Sequence, residues 1–265
     1  MERDSRGVVD DALTKHREKM RIIIDIGNTN AKYVLSEGTQ LVGEVYRCGH
    51  ADIVASVTSI CAEHNVSEGM LASVAECGDD VLERLRATGL DIRPFNVRCP
   101  LPMTVDYATP ETLGADRVAA VVGAVARFGK CRMLVIDAGT AVTYDYVNAD
   151  GCYVGGCISP GLSMRFKALN TFTGKLPLVD VSDYKQQIGD STVSAIASGV
   201  LDGFRYEVNG YINQFCVNNN EINKIIVTGG DHKYLVLPLK SPTFAVPNLV
   251  LEGIAFVANT VFDEE

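Results

Sequence analysis

Nowhere does this chain of 265 residues run for the ~18 uncharged apolar residues that would cross a bilayer, so no membrane span is expected. Positive charge is in deficit, with 24 Lys and Arg against 33 Asp and Glu, a net charge of −9. An acidic chain repels phosphate backbones, which argues against general nucleic-acid binding. It leaves room for one small anionic ligand, because backbone N–H groups hold phosphate without net positive charge. No C-x-x-C pair occurs among the eight cysteines, and the four histidines never fall near a cysteine pair at zinc spacing, so no structural zinc is expected. Residues 1–20 are charged and lack the apolar run of a secretory signal. They are expected to be a disordered extension, or translation from an upstream start. The thiols are expected to be free and the protein cytoplasmic. Neither a Walker A loop nor G-x-G-x-x-G is present, so P-loop and dinucleotide-binding readings have no support.

What is present is enough apolar residue (47%) to bury a sizeable core, in one large domain or two modest ones. The β-branched run Ile22–Ile26 ends in Asp25-Ile26-Gly27-Asn28-Thr29-Asn30, and strands at Ala31–Leu35 and Leu41–Tyr46 complete a meander. A helix is expected over 51–64, a strand at Met70–Val74, a helix at Asp79–Ala87 and a long apolar helix over Thr112–Phe128. Pro94–Pro102 reads as irregular. The opening pattern then returns 112 residues later: Met133–Ile136, the turn Asp137-Ala138-Gly139-Thr140, and strands from Ala141 and Tyr153. A period that long implies two similar halves rather than a solenoid. A helix over Thr192–Asn213, with Gly199 and Gly203 at close-packing spacing, a strand at Lys224–Val227 and a helix at Leu249–Phe262 follow. Cys152 and Cys157 bracket what reads as a Gly-rich turn. No linker separates the halves, so one clefted body is expected.

A strand that ends in Asp and turns through Gly and Asn or Thr brings N–H groups and hydroxyls to one point, which is a phosphate cradle. The Asp adds a hard oxygen for a cation. Two such turns in symmetric halves could grip a polyphosphate from both sides. Gly229-Gly230 would allow a third close backbone approach, suited to adenosine and the α-phosphate. Asp116, in Pro110-Glu111-Thr112-Leu113-Gly114-Ala115-Asp116-Arg117, enters an apolar helix. It is either a helix cap or ion-pair partner of Arg117, or a carboxylate aimed into the cleft to accept a hydroxyl proton. Lys32 is either a phosphate contact or a solvated strand residue. Tyr107, Arg165 and Thr192 are polar groups beside Gly-containing stretches that pattern alone assigns to surface or caps.

Taken together, DIGNTNAK (25–32), Tyr107-x-x-Pro110-x-x-Leu113-GADR (114–117), DAGTAVTYD (137–145), GGCISPG (155–161), KLP (175–177), IGDST (188–192), TGG (228–230) and LEG (251–253) resemble the type III pantothenate kinases, in the superfamily of acetate and sugar kinases, Hsp70 and actin. The resemblance runs from about Ile22 to about Ala258. It implies an α/β fold of duplicated ribonuclease-H-like (actin-like ATPase) halves, each a mixed five-stranded sheet with helices, and a cleft between them. The boundaries it suggests are 21–130 and 131–265. It implies ATP with Mg²⁺ as phosphoryl donor and pantothenate as acceptor, the first step of coenzyme A synthesis. ATP contacts would come from Asp25, Ile26, Gly27, Asn28, Thr29, Asn30, Ala31, Lys32, Thr140, Gly229 and Gly230. Substrate contacts would come from Tyr107, Gly114, Ala115, Asp116, Arg117 and Thr192. Asp116 would be the proton acceptor, Asp25 would help hold Mg²⁺, and Asp137 would hold a monovalent cation, K⁺ or NH₄⁺. A homodimer with the substrate pocket near the partner subunit is implied as well. Ser73-Val74-Ala75-Glu76 departs from the usual pattern, and the first half is short before Tyr107.

Two other readings use the same phosphate turns. One is a kinase of this superfamily with a sugar or short-acid substrate, against which only the GADR region speaks. The other is a regulator that binds nucleotide without catalysis, disfavoured by the intact Asp25, Asp116 and Asp137.

Overall fold

A computed structural model describes residues 19–218, 223–235 and 242–263. Residues 1–18 of the expected extension lie outside them, whereas Met20 opens the first strand. Strands β1 (Met20–Ile26), β2 (Ala31–Glu37) and β3 (Gln40–Cys48) form the expected meander. Helix α1 (Ile53–His64), β4 (Glu68–Ser73), α2 (Gly78–Ala87) and β5 (Asp91–Pro94) complete a five-stranded sheet of order β3-β2-β1-β4-β5. The strand β5 falls where the sequence reads as irregular, because four residues carry too little periodicity to register.

After the two-residue β6 (Thr104–Val105) comes helix α3 (Ala115–Phe128). The pattern then repeats as β7 (Met133–Ala138), β8 (Ala141–Val147), β9 (Cys152–Pro160), α4 (Leu162–Phe172), α5 (Thr192–Asn218), β10 (Lys224–Thr228) and β11 (Thr243–Ala245), with α6 (Leu249–Asp263) closing the chain. The second sheet has order β11-β10-β7-β8-β9-β6. Its first five members match the first sheet strand for strand, and β6 makes six where five were expected, through Thr104 and Val105 pairing parallel to Cys152 and Tyr153.

The central strands are buried on both faces, which is why they read as continuous apolar runs. Ile22, Ile24 and Ile26 face a core shared with α1 and α2, while Ile23 faces the other way. That second core joins Ile23 and Val34 of the first sheet, Met133 and Val135 of the second, and the apolar faces of α3 and α6. The layers therefore run α1 and α2, first sheet, α3 and α6, second sheet, α4 and α5. The two middle helices meet at glycines: a Cβ on Gly253 would lie 1.9 Å from the Ala119 carbonyl oxygen, and one on Gly123 would lie 2.4 Å from that of Leu249. Close packing is expected from spacing at Gly199 and Gly203 instead, but among the described residues nothing lies within 4 Å of a Cβ at either.

The Gly-rich stretch between Cys152 and Cys157 is not a turn. It is the interior of β9, where Tyr146 pairs with Gly155 and Val147 with Tyr153, so residue 154 bulges. Seven cysteines are free thiols, and the side chain of Cys216 lies outside the described residues.

Candidate active site

Alternation along β1 sends Asp25 to the same face as Ile23, and along β7 it sends Asp137 to the same face as Val135. Both carboxylates thus emerge on the faces turned toward the middle layer, at the sheet ends where α3 begins. The first turn is closed by the Gly27 N–H donating to the Asn30 carbonyl at 3.1 Å, and leaves Asn28, Thr29 and Asn30 exposed. Ile26 and Ala31 contribute backbone only, since their side chains are core. The second turn is closed by the Gly139 N–H donating to the Ala141 carbonyl at 3.0 Å. Thr29 Oγ1 and Thr140 Oγ1 meet at 3.1 Å, so the two turns touch across the cleft.

The third turn packs on the second. Thr228 is in register with Asp137 in the parallel β10–β7 pair, and the Asp231 N–H donates to the Ala138 carbonyl at 2.9 Å. Gly229, at φ +85°, has no room for a side chain, since a Cβ would lie 2.3 Å from the Ala138 oxygen and 2.4 Å from Asp137 Oδ1. Gly230 faces open space.

Lys32 sits directly opposite Asp25 in the β1–β2 ladder, with Nζ 3.8 Å from Asp25 Oδ2. Burial pushes Asp25 up to about 6, against the opposing pull of Lys32 and with repulsion from Asp116. Burial likewise pushes Asp137 up to about 7, with Lys32 pulling down and Asp116, Asp25 and Asp145 pushing up. Asp116 is raised by burial, partly offset by the Arg117 N–H. Three carboxylates and one lysine therefore share one electrostatic environment. Among the described residues no three His, Cys, Asp or Glu side chains stand close enough to cage a metal by themselves. The donor set is hard and anionic, which suits a cation that completes its shell from phosphate oxygens and water.

Asp116 occupies the first turn of α3, half-buried, and Oδ1 accepts the Arg117 N–H at 2.8 Å. Gly114 leaves that carboxylate free to take this position, since a Cβ there would lie 2.6 Å from Oδ1 and push it aside. Arg117 does not form its ion pair with Asp116. Its Nε and Nη2 donate to Asp145 Oδ1 at 2.9 and 2.6 Å, and the Tyr153 hydroxyl donates to the same oxygen at 2.9 Å. The Arg117 guanidinium carbon lies 6.0 Å from the ring centres of both Tyr107 and Tyr153.

The sequence named Tyr107, Gly114, Ala115, Asp116 and Arg117, and the fold gathers them at the mouth of α3. Thr192 is exposed at the start of α5 and is not part of this network. Arg165 is structural: it donates to the Pro160 carbonyl, Ser159 Oγ and Glu207 Oε2, tying α4 to α5 and β9. Sequence reasoning missed Asp145 and Tyr153. The available signal was a charged residue inside the apolar strand Ala141–Val147. It also missed His50 and His232, whose rings meet the carbonyls of Gly27 and Gly229 at 2.9 and 2.6 Å and brace the first and third turns.

Paired ribonuclease-H-like sheets with an Asp-ended turn in each define the actin-like ATPase fold. A Baf family transcriptional activator from Campylobacter jejuni has this fold, at TM-score 0.59 and 19% identity over 91% of this chain and 99% of that one. So does a ROK hexokinase from Thermus thermophilus, at TM-score 0.52 and 14% identity over 92% of this chain and 99% of that one. Both likenesses speak to fold alone. A family model described as type III pantothenate kinase matches residues 21–214. The type III pantothenate kinase of Phocaeicola vulgatus is 42% identical over 235 residues, 89% of this chain and 96% of the relative. The chain belongs to the type III pantothenate kinase family.

Proposed function

We propose that the chain transfers the ATP γ-phosphate to the primary hydroxyl of pantothenate, giving 4'-phosphopantothenate. The observation that carries phosphoryl transfer is the convergence of Asp25, Lys32, Asp116 and Asp137 beside two turns that touch through Thr29 and Thr140, and the family match supports pantothenate as the acceptor. The turns hold the polyphosphate by N–H groups and hydroxyls from Asn28 to Asn30 and from Thr140, with Lys32 balancing its charge. Gly229 keeps the second turn in place, and Gly230 leaves space beside it for the nucleotide. Asp25 would hold Mg²⁺ through the phosphates, and Asp137 would hold K⁺ or NH₄⁺. These cations neutralise phosphate charge when bound.

Asp116 accepts the proton of the attacking hydroxyl. Its raised proton affinity makes it a better base than a solvated aspartate, and such help is worth roughly 10²–10⁴-fold. Arg117, Tyr107 and the Gly114–Ala115 backbone orient the rest of pantothenate. The acidity of the chain supports neither nucleic-acid nor membrane partners, and no helix among the described residues is long and apolar enough to cross a membrane. We place the reaction in the cytoplasm, and take 21–130 and 131–265 as the two halves, with α3 and α6 as their shared middle layer.

A homodimer belongs to the same proposal. Large exposed apolar side chains concentrate between Val154 and Tyr206, with Phe172 85% and Ile188 84% exposed. That stretch contains Thr192, so a second copy would bring a substrate-binding group to the subunit boundary.

Coupled ADP release with pantothenate and with a sugar panel, each with and without potassium, tests the reading. Pantothenate-dependent, potassium-stimulated release is expected. Release with a sugar alone would replace the substrate, and indifference to potassium would remove the role of Asp137. In the same assay Asp116→Asn should lower kcat at least 10²-fold with ATP affinity near wild type. A variant with wild-type kcat would show that another group takes the proton.

A further inference from the structure

The duplication provides an internal reference for every position of the second sheet. In the first sheet Asp25 pairs with Lys32 and Ile23 with Val34. In the second, Asp137 pairs with Thr143 and Val135 with Asp145. Asp145 is therefore the structural twin of Val34. Val34 is fully buried in the middle core, packed as an ordinary apolar strand residue. Asp145 is also 0% exposed, yet carries a carboxylate. The fold does not need a charge there, and replacing a buried ion pair by apolar packing is commonly neutral or stabilising.

What the charge does is visible in its contacts. Three donors converge on Oδ1: Nε and Nη2 of Arg117 and the hydroxyl of Tyr153. Among the described residues Oδ2 has no hydrogen-bond partner, so the three donors all act through one oxygen. Holding Nε and Nη2 fixes the plane of the guanidinium and leaves Nη1 outside that pair. The rings of Tyr107 and Tyr153, their centres 6.0 Å apart, lie together beside it, and the residue paired with Asp145 is Gly156, where a Cβ would lie 1.8 Å from the Tyr144 carbonyl oxygen and 3.0 Å from Nη2.

We infer that Asp145 is a positioning residue for acceptor specificity: it locks Arg117, with Tyr153, so that the guanidinium meets the acceptor at one angle. This rests on the assignment of Arg117 to pantothenate. None of these hydrogen bonds to Asp145 reaches an ATP turn, so its hydrogen bonding acts on the acceptor side, while its charge also bears on Asp137.

Steady-state kinetics on the full chain tests this through a double-mutant cycle. Asp145→Asn should raise the KM for pantothenate about tenfold or more and leave the KM for ATP within about twofold. Added to Arg117→Gln, it should raise the pantothenate KM little further, because Asp145 acts through Arg117. Tyr153→Phe removes one donor without unpairing a charge, so it remains informative if Asp145→Asn fails to fold; it should raise the same KM by a smaller factor. An unchanged pantothenate KM in Tyr153→Phe and in any folded Asp145→Asn, or full additivity with Arg117→Gln, would overturn the inference. Wild-type protein inactive on pantothenate would instead overturn the proposed substrate, a separate outcome read in the same plate.

Discussion

At Asp137 burial, repulsion from Asp25 and Asp116, and an incomplete countercharge from Lys32 act together on a single carboxyl. Because its folded proton affinity lies above the unfolded value of 3.8, the folded state holds the proton where the unfolded state has lost it. The resulting stability is complete below about pH 4, and it is lost as pH rises through about 6 for Asp25 and about 7 for Asp137. Asp137→Asn removes the ionisation while keeping the shape. Relative to wild type, the variant should melt several degrees higher at pH 8 and about level at pH 4. Thermal unfolding at the two pH values, without added nucleotide, measures it; an offset that does not change with pH would mean Asp137 ionises freely. The same residues that weaken the fold at neutral pH are those proposed to meet a cation, a common division between stability and function.

Between elements, the decisive contact is the crossing of α3 and α6. The helices approach until Gly253 meets the Ala119 backbone and Gly123 meets the Leu249 backbone, so neither glycine has room for a methyl group. Gly253→Ala should cost about 2 kcal/mol or more, because backbone rather than a flexible side chain must move. Gly199→Ala should do the opposite. It lies on α5 with open space around it, and a helical Gly-to-Ala change there is worth roughly 0.5–1 kcal/mol of added stability. Urea unfolding of the two variants would show opposite shifts. Equal shifts would mean that α3 and α6 do not pack as described. In sequence the two pairs look alike, as glycines within helical runs, and spacing within one helix says nothing about what lies across from it.

For the whole molecule, the shared middle layer matters more than the duplication. One core joins residues of both sheets through α3 and α6. The last helix packs on the first sheet, and β6 from before α3 extends the second. Each half therefore depends on elements supplied by the other. Calorimetry should give one unfolding transition, with van't Hoff and calorimetric enthalpies in agreement. Two separable transitions would mean that the halves fold on their own.

Sequence alone determined the repeated strand–turn–strand pattern, the two Asp-ended turns and the GADR helix entry. These are local: each is written in neighbouring residues whose backbone preferences and alternation act over a few positions. Tertiary structure decided which charges meet. It turned Arg117 from Asp116 to Asp145, set Thr29 against Thr140, and put the close-packed glycines on α3 and α6 rather than on α5. Those outcomes depend on strand register and layer order, which bring together residues as far apart as Ala119 and Gly253 and which no local pattern encodes.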